Sequence, residues 1–327
     1  MNTRRNERGY EENFVPGRHL KLNELRAEAE AVGLSNQYLF KNNIPEYPRP
    51  EFHVTHLKHD TEQHGLRGIM EDLGFKNPGT GSLLWWSLAV GPEEITSAER
   101  RLLETSFPDQ TDEQAAKQQS FLWKFASSPA FLETSRLGSY RFTFPLQEVL
   151  KAYSQQFCSG GQPVMRVFKT ILYKQEVVYV VLVHSPDSDE LFSGYPLLTD
   201  DPNAVCSYRD NCFIWRPEAT CETHRYQLIT RPDENQMEVL ELSGYDTTFY
   251  VWDNVAVALH MDNNQVLTFD ADQLRQNLKF CSPGYPPISR SIRFDSFEKA
   301  QEVVQRLWPD YDSPLQETSS LQEIFGA

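Results

Sequence analysis

The chain is poor in cysteine, in long apolar runs and in positive charge, and each shortage excludes something. Five cysteines in 327 residues, an odd number, do not make a disulfide framework. The longest apolar run, VVYVVLV at 177–183, has the length of a buried strand and not the roughly 18 apolar residues of a membrane span. The N-terminus opens polar and charged, without the apolar core of a secretory signal. A cytoplasmic protein of a reducing compartment is therefore expected. Lysine and arginine number 31 against 46 acidic residues, a formal charge of −15. Such a surface repels phosphate backbones and anionic lipid, which argues against nucleic acid as the main partner. MNTRRNERGY is the one obvious basic stretch near the N-terminus. Catalytic signatures are also scarce. GTGS at 79–82 lacks the GKS or GKT of a phosphate loop, and no GxGxxG, GxSxG or HExxH pattern occurs.

What is present is core material. Twenty Phe, 14 Tyr and 6 Trp are too many for a disordered chain. Residues 1–18 read as a loose polar arm, residues 19–308 as a single large domain, and residues 309–327 as a flexible polar tail whose Leu321, Ile324 and Phe325 could dock. LKLNELRAEAEAVGL carries helical spacing, with Gly33 as its stop. PEYPRP then forces extended backbone into EFHVTHL. GLRGIMEDLGF is a short helix, and SLLWWSLAV at 82–90 a buried strand. Residues 92–157 turn mostly helical, with capping boxes expected at Thr96–Glu99 and Thr111–Gln114. From about 164 to 270 the pattern is β, beginning with two strands joined at Lys174-Gln175 as a hairpin. The fold class is α+β: a mixed or antiparallel sheet core with a helical section between a short and a longer β region.

Four histidines fall within twelve positions of EFHVTHLKHDTEQH: His53, His56, His59 and His64. In a continuous strand His53, Thr55 and Leu57 face one side, and Val54 and His56 the other. A metal site through His53, His56 and His59 is thereby disfavoured, because three imidazoles must converge on one ion. A second set, Cys206, Cys212, Cys221 and His224, offers zinc-type donors in a spacing that matches no standard knuckle. CFIW there reads as a strand that buries Cys212 as a small apolar residue. Trp85 and Trp86 are strand neighbours and face opposite ways. The outer ring is either a binding surface or covered by a second layer.

A strand carrying His-x-Thr, then a loop, then a helix ending in Gly-Phe resembles the first element of the ADP-ribosyltransferase fold. The resemblance implies NAD as cofactor, with His53 on the adenosine ribose and Thr55 supporting the nicotinamide side. It also implies a late-strand glutamate that stabilises the transition state; NQMEVLEL supplies Glu238, and Gln236-x-Glu238 resembles the family's turn motif. Tyr195 and Tyr208 are the candidates for its nicotinamide-stacking tyrosine. SLLWWSLAVGPEEITSAERRLLE, FLWKFASSPAF and GSYRFTFPLQEVL resemble a group of fish proteins associated with virus- and interferon-inducible families such as the grass-carp-reovirus-induced one. That resemblance implies antiviral innate immunity. The expected activity is binding, with a protein partner, on a diverged ADP-ribosyltransferase-like core. Mono-ADP-ribosyl transfer from NAD is the first alternative. The second is an interaction module of unrelated α+β fold, docking through Trp85, Trp86 and Trp123.

Overall fold

The computed structural model describes residues 1–6, 9–41, 46–77, 82–218, 226–242, 252–262, 264–285 and 288–326. Its core is a ten-stranded mixed sheet. The order is Asn2–Arg5, Glu11–Pro16, Val164–Tyr173, Glu176–His184, Trp252–His260, Leu83–Ala89, His56–Thr61, Tyr140–Pro145, Leu278–Phe280 and Gln316–Glu317. Only the contacts of Glu176–His184 with Trp252–His260, and of Leu278–Phe280 with Gln316–Glu317, are parallel. The class is α+β, as the sequence pattern predicts.

The central strands are those with the most continuous apolar sequence. EVVYVVLVH and WDNVAVALH are buried along almost their whole length, as strands covered on both faces must be. Lys174, at φ +53, turns the predicted hairpin between Tyr173 and Glu176. One sheet face carries Leu57, Trp86, Val257 and Val181 in neighbouring register. Helices Leu22–Ala31, Pro92–Ser106, Leu146–Phe157 and Phe297–Leu307 contribute to the main core that covers it. The opposite face carries a much smaller apolar cluster around Ile171, Tyr173, Val180 and Ala258.

Three local expectations shift. The strand expected through EFHVTHL breaks at Thr55: Phe52–Val54 pairs with Cys212–Trp215 in a separate three-stranded sheet, and His56–Thr61 enters the large one. The helix expected to start at Thr96 starts at Pro92, because the Glu94 carboxylate accepts from the Gly91 N–H at 3.1 Å. The box at Thr111–Gln114 forms as read. Finally, the arm supplies the strands Asn2–Arg5 and Glu11–Pro16. The tail adds Gln316–Glu317 to the far edge, and Phe325 stacks on Trp123 at 6.0 Å.

One glycine is set by close approach. Gly138 sits at φ +134, and a Cβ there would lie 2.2 Å from the Thr61 carbonyl oxygen and 2.5 Å from the Glu62 nitrogen. Both are backbone atoms with nowhere to rotate. Gly138→Ala is expected to destabilise the fold by about 1–3 kcal/mol, read as a lower urea midpoint at unchanged slope.

Candidate functional site

The sheet opens where two of its strands part. His56–Thr61 pairs with Tyr140–Pro145 over its full length. It pairs with Leu83–Ala89 only through His56, Leu57 and Lys58. Leu83–Ser87 stays bound to Trp252–His260 on the other side, so beyond Lys58 the strands diverge. The gap is a cleft of about 560 Å³, with His59, Thr61, His64, Gly68, Asp72 and Trp85 in its walls.

His59 bridges the gap with its side chain instead of its backbone. Its Nδ1 lies 2.9 Å from the Trp85 carbonyl oxygen. A carbonyl only accepts, so Nδ1 carries the proton and Nε2 keeps a lone pair. Burial pushes this imidazole below its ordinary value of 6.5, against the pull of the carbonyl and Asp60. The ring is neutral at pH 7. Phe75 and Trp86 flank it with centroids at 5.1 and 5.5 Å, so its orientation is fixed by packing.

The strand ends at Thr61 and the helix Gln63–Asp72 follows directly, burying Leu66 and Ile69. Its glycines keep that wall low. A Cβ at Gly68 would meet nothing within 4 Å, and one at Gly65 would lie 2.0 Å from Thr61 Oγ1. Trp85, 37% exposed, supplies an aromatic face; Trp86 is 1% exposed and belongs to the core.

The sequence-predicted residues fall elsewhere. His53 Nε2 is 2.9 Å from Glu51 Oε1, and Arg216 holds that carboxylate through its other oxygen at 2.6 Å. Thr55 donates to Glu94 Oε1 at 2.8 Å, beside His56 Nδ1 at 3.4 Å from the same oxygen. The Glu94 hydrogen bond raises the His56 imidazole above its ordinary value. Thr55 and His56 thus serve a helix start. Glu238 lies on a two-stranded ribbon, Tyr226–Arg231 with Gln236–Glu241, in an ion pair with Arg231 at 2.8 Å. The structure does not bring His53, Thr55 and Glu238 together. Tyr195 packs edge-on against Phe168, and Tyr208 against Phe213; neither lines the cleft. The signal for the cleft residues is a second His-x-Thr, His59-Asp60-Thr61, on the strand that runs straight into the helix.

Among the described residues no group of three or more His, Cys, Asp and Glu could hold a metal. Cys206 and Cys212 are buried free thiols, and burial pushes Cys206 up to about 12. Cys221 and His224 lie outside the described residues. Among the described residues no helix is long and apolar enough to cross a membrane. No family model, curated protein or solved structure matches the chain, so the functional reading stands on the chemistry of the cleft.

Proposed function

We propose that the cleft binds NAD or a closely related nucleotide, on a diverged ADP-ribosyltransferase-like core, and that the protein works by binding rather than by group transfer. The carrying observation is the oriented neutral His59. Its Nε2 is a hydrogen-bond acceptor aimed by the Trp85 carbonyl bond on the other ring nitrogen, which suits a ribose hydroxyl. Thr61 adds a hydroxyl in the same cleft, and Trp85 a flat face for a planar ring. Gly68 leaves room for close approach.

The carboxylates support binding over transfer. Glu238 is held by Arg231 on a ribbon that does not line the cleft. Of the carboxylates that line the cleft, Asp60 is paired with Arg141 and Asp72 with Lys76, and Glu62 accepts the Arg293 backbone N–H at 3.1 Å. A mono-ADP-ribosyltransferase needs a carboxylate released towards the reacting ribose. The interaction-module reading gains less: Trp86 is buried and Trp123 is covered by Phe325, which leaves Trp85. The resemblance to virus-inducible proteins supplies the setting we propose, a cytoplasmic antiviral role in which the nucleotide-bound form meets a protein partner.

Calorimetric titration of NAD into the purified chain tests this. Saturable binding at or below about 1 mM is expected. Trp85→Leu should weaken it about tenfold or more, since stacking on an aromatic is worth about 1–3 kcal/mol. Affinity should fall on acidification below pH 6.5, because protonation of His59 removes the acceptor. Absence of binding at several millimolar NAD overturns the reading.

A further inference from the structure

Behind the cleft, on the sheet face opposite the main core, the segment 129–137 closes a second cavity of about 220 Å³. Its lining carries three cations, Lys58, Arg136 and Arg141, against two carboxylates, Asp60 and Glu176. Both carboxylates are already taken. Arg141 grips Asp60 through Nε and Nη2, each at 2.7 Å. Arg136 Nη2 lies 2.7 Å from one oxygen of Glu176, and Asn254 donates to the other. Lys58 is left over. It is 6% exposed, and its Nζ donates to the backbone carbonyls of Pro129, Ala130 and Leu132. Among the described residues no carboxylate comes within 4.0 Å of it. A buried ammonium without a counter-charge is costly to keep.

We propose that this cavity is a proton-coupled binding site for a small oxyanion that pairs with the Lys58 ammonium. Burial, and then the Arg141 guanidinium, push Lys58 down to about 7; Asp60 and Cys281 pull the other way and Arg136 adds to the depression. Cys281 itself is pushed up to about 11 and stays a neutral thiol. Emptied, the site sheds one proton near neutrality; occupied, it holds it. Among the described residues Arg136 hydrogen-bonds Glu176 through Nη2 alone, with its guanidinium over the Trp252 ring at 5.6 Å, which leaves other N–H groups for the same anion. The cavity adjoins the cleft: the two share Lys58, Asp60, Trp85, Ser87 and Leu137 in their walls. The inference does not rest on the nucleotide reading, because a small anion has nothing that a ribose site recognises.

The sign follows from linkage. An anion that prefers charged Lys58 binds with one proton taken up above the free-state value, and without proton exchange below it. With that value at about 7, affinity for a non-titrating anion should fall about tenfold between pH 6 and pH 8. The probes are sodium acetate and sodium sulfate, titrated separately by calorimetry into the full chain. The pH 8 runs are repeated in two buffers of different ionisation heat. The expected result is saturable binding, about tenfold weaker at pH 8 than at pH 6, with close to one proton taken up per anion at pH 8. Lys58→Arg should keep binding and lose the pH dependence. If Lys58→Arg does not fold, the proton count on the wild-type chain decides alone. No saturable binding at either pH overturns the proposal. So does binding at pH 8 without proton uptake, or a pH dependence that survives in folded Lys58→Arg.

Discussion

Asp60→Ala is expected to lower folding stability by about 3–5 kcal/mol, the usual consequence of removing one partner from a buried ion pair. The pair is well formed and dry: the Arg141 and Asp60 side chains are 6% and 9% exposed. The guanidinium does a second job. It also donates to the carbonyls of Leu132, Glu133 and Thr134 at 2.7, 3.3 and 3.0 Å, which ties the segment 129–137 down over the sheet. Without Asp60 that charge stays buried with carbonyls alone around it, and relief requires the segment to lift. Urea unfolding should show the loss as a lower midpoint at unchanged slope.

The pH dependence has a definite sign. Burial alone would raise the Asp60 carboxyl, but Arg141 outweighs it and holds the group below its ordinary 3.8. A depressed carboxylate contributes stability that is fully present above the unfolded value and lost as pH falls through the folded one. Wild type and Asp60→Ala should therefore differ fully at pH 6 and converge in acid below 3.8. A difference under about 1 kcal/mol at pH 6 would place the pair among those that contribute little.

How much of this was legible depends on what holds each piece. Leu83–Ala89, the hairpin at Lys174-Gln175 and the cap at Thr111 were readable because apolar alternation and capping chemistry are local. The edge strand Asn2–Arg5 was not: its residues are all exposed, so backbone pairing with Glu11–Pro16 holds it and leaves no apolar pattern. EFHVTHLKHDT contains no glycine or proline to mark the break at Thr55, so two strands of different sheets read as one. That break also decided the site. HVT and HDT carry the same pattern, and only the register of His56, Leu57 and Lys58 against Ala89, Leu88 and Ser87 puts the second at the opening. Lys58 and Asp60 alternate like a solvated face. Their burial comes from the segment 129–137, some seventy residues further on, which no local pattern announces.

On the proposed reading the cleft histidine His59, and not His53, holds the nucleotide. The direct measurement is a side-by-side calorimetric titration of NAD into wild type, His59→Ala and His53→Ala. His59→Ala removes an oriented acceptor from a partly buried site, a loss of about 1–3 kcal/mol, or about tenfold and more in Kd. His53, paired with Glu51 outside the cleft, should be replaceable within about twofold in Kd, a few tenths of a kcal/mol. Binding lost in His53→Ala and kept in His59→Ala would contradict the account, and so would equal affinity in all three.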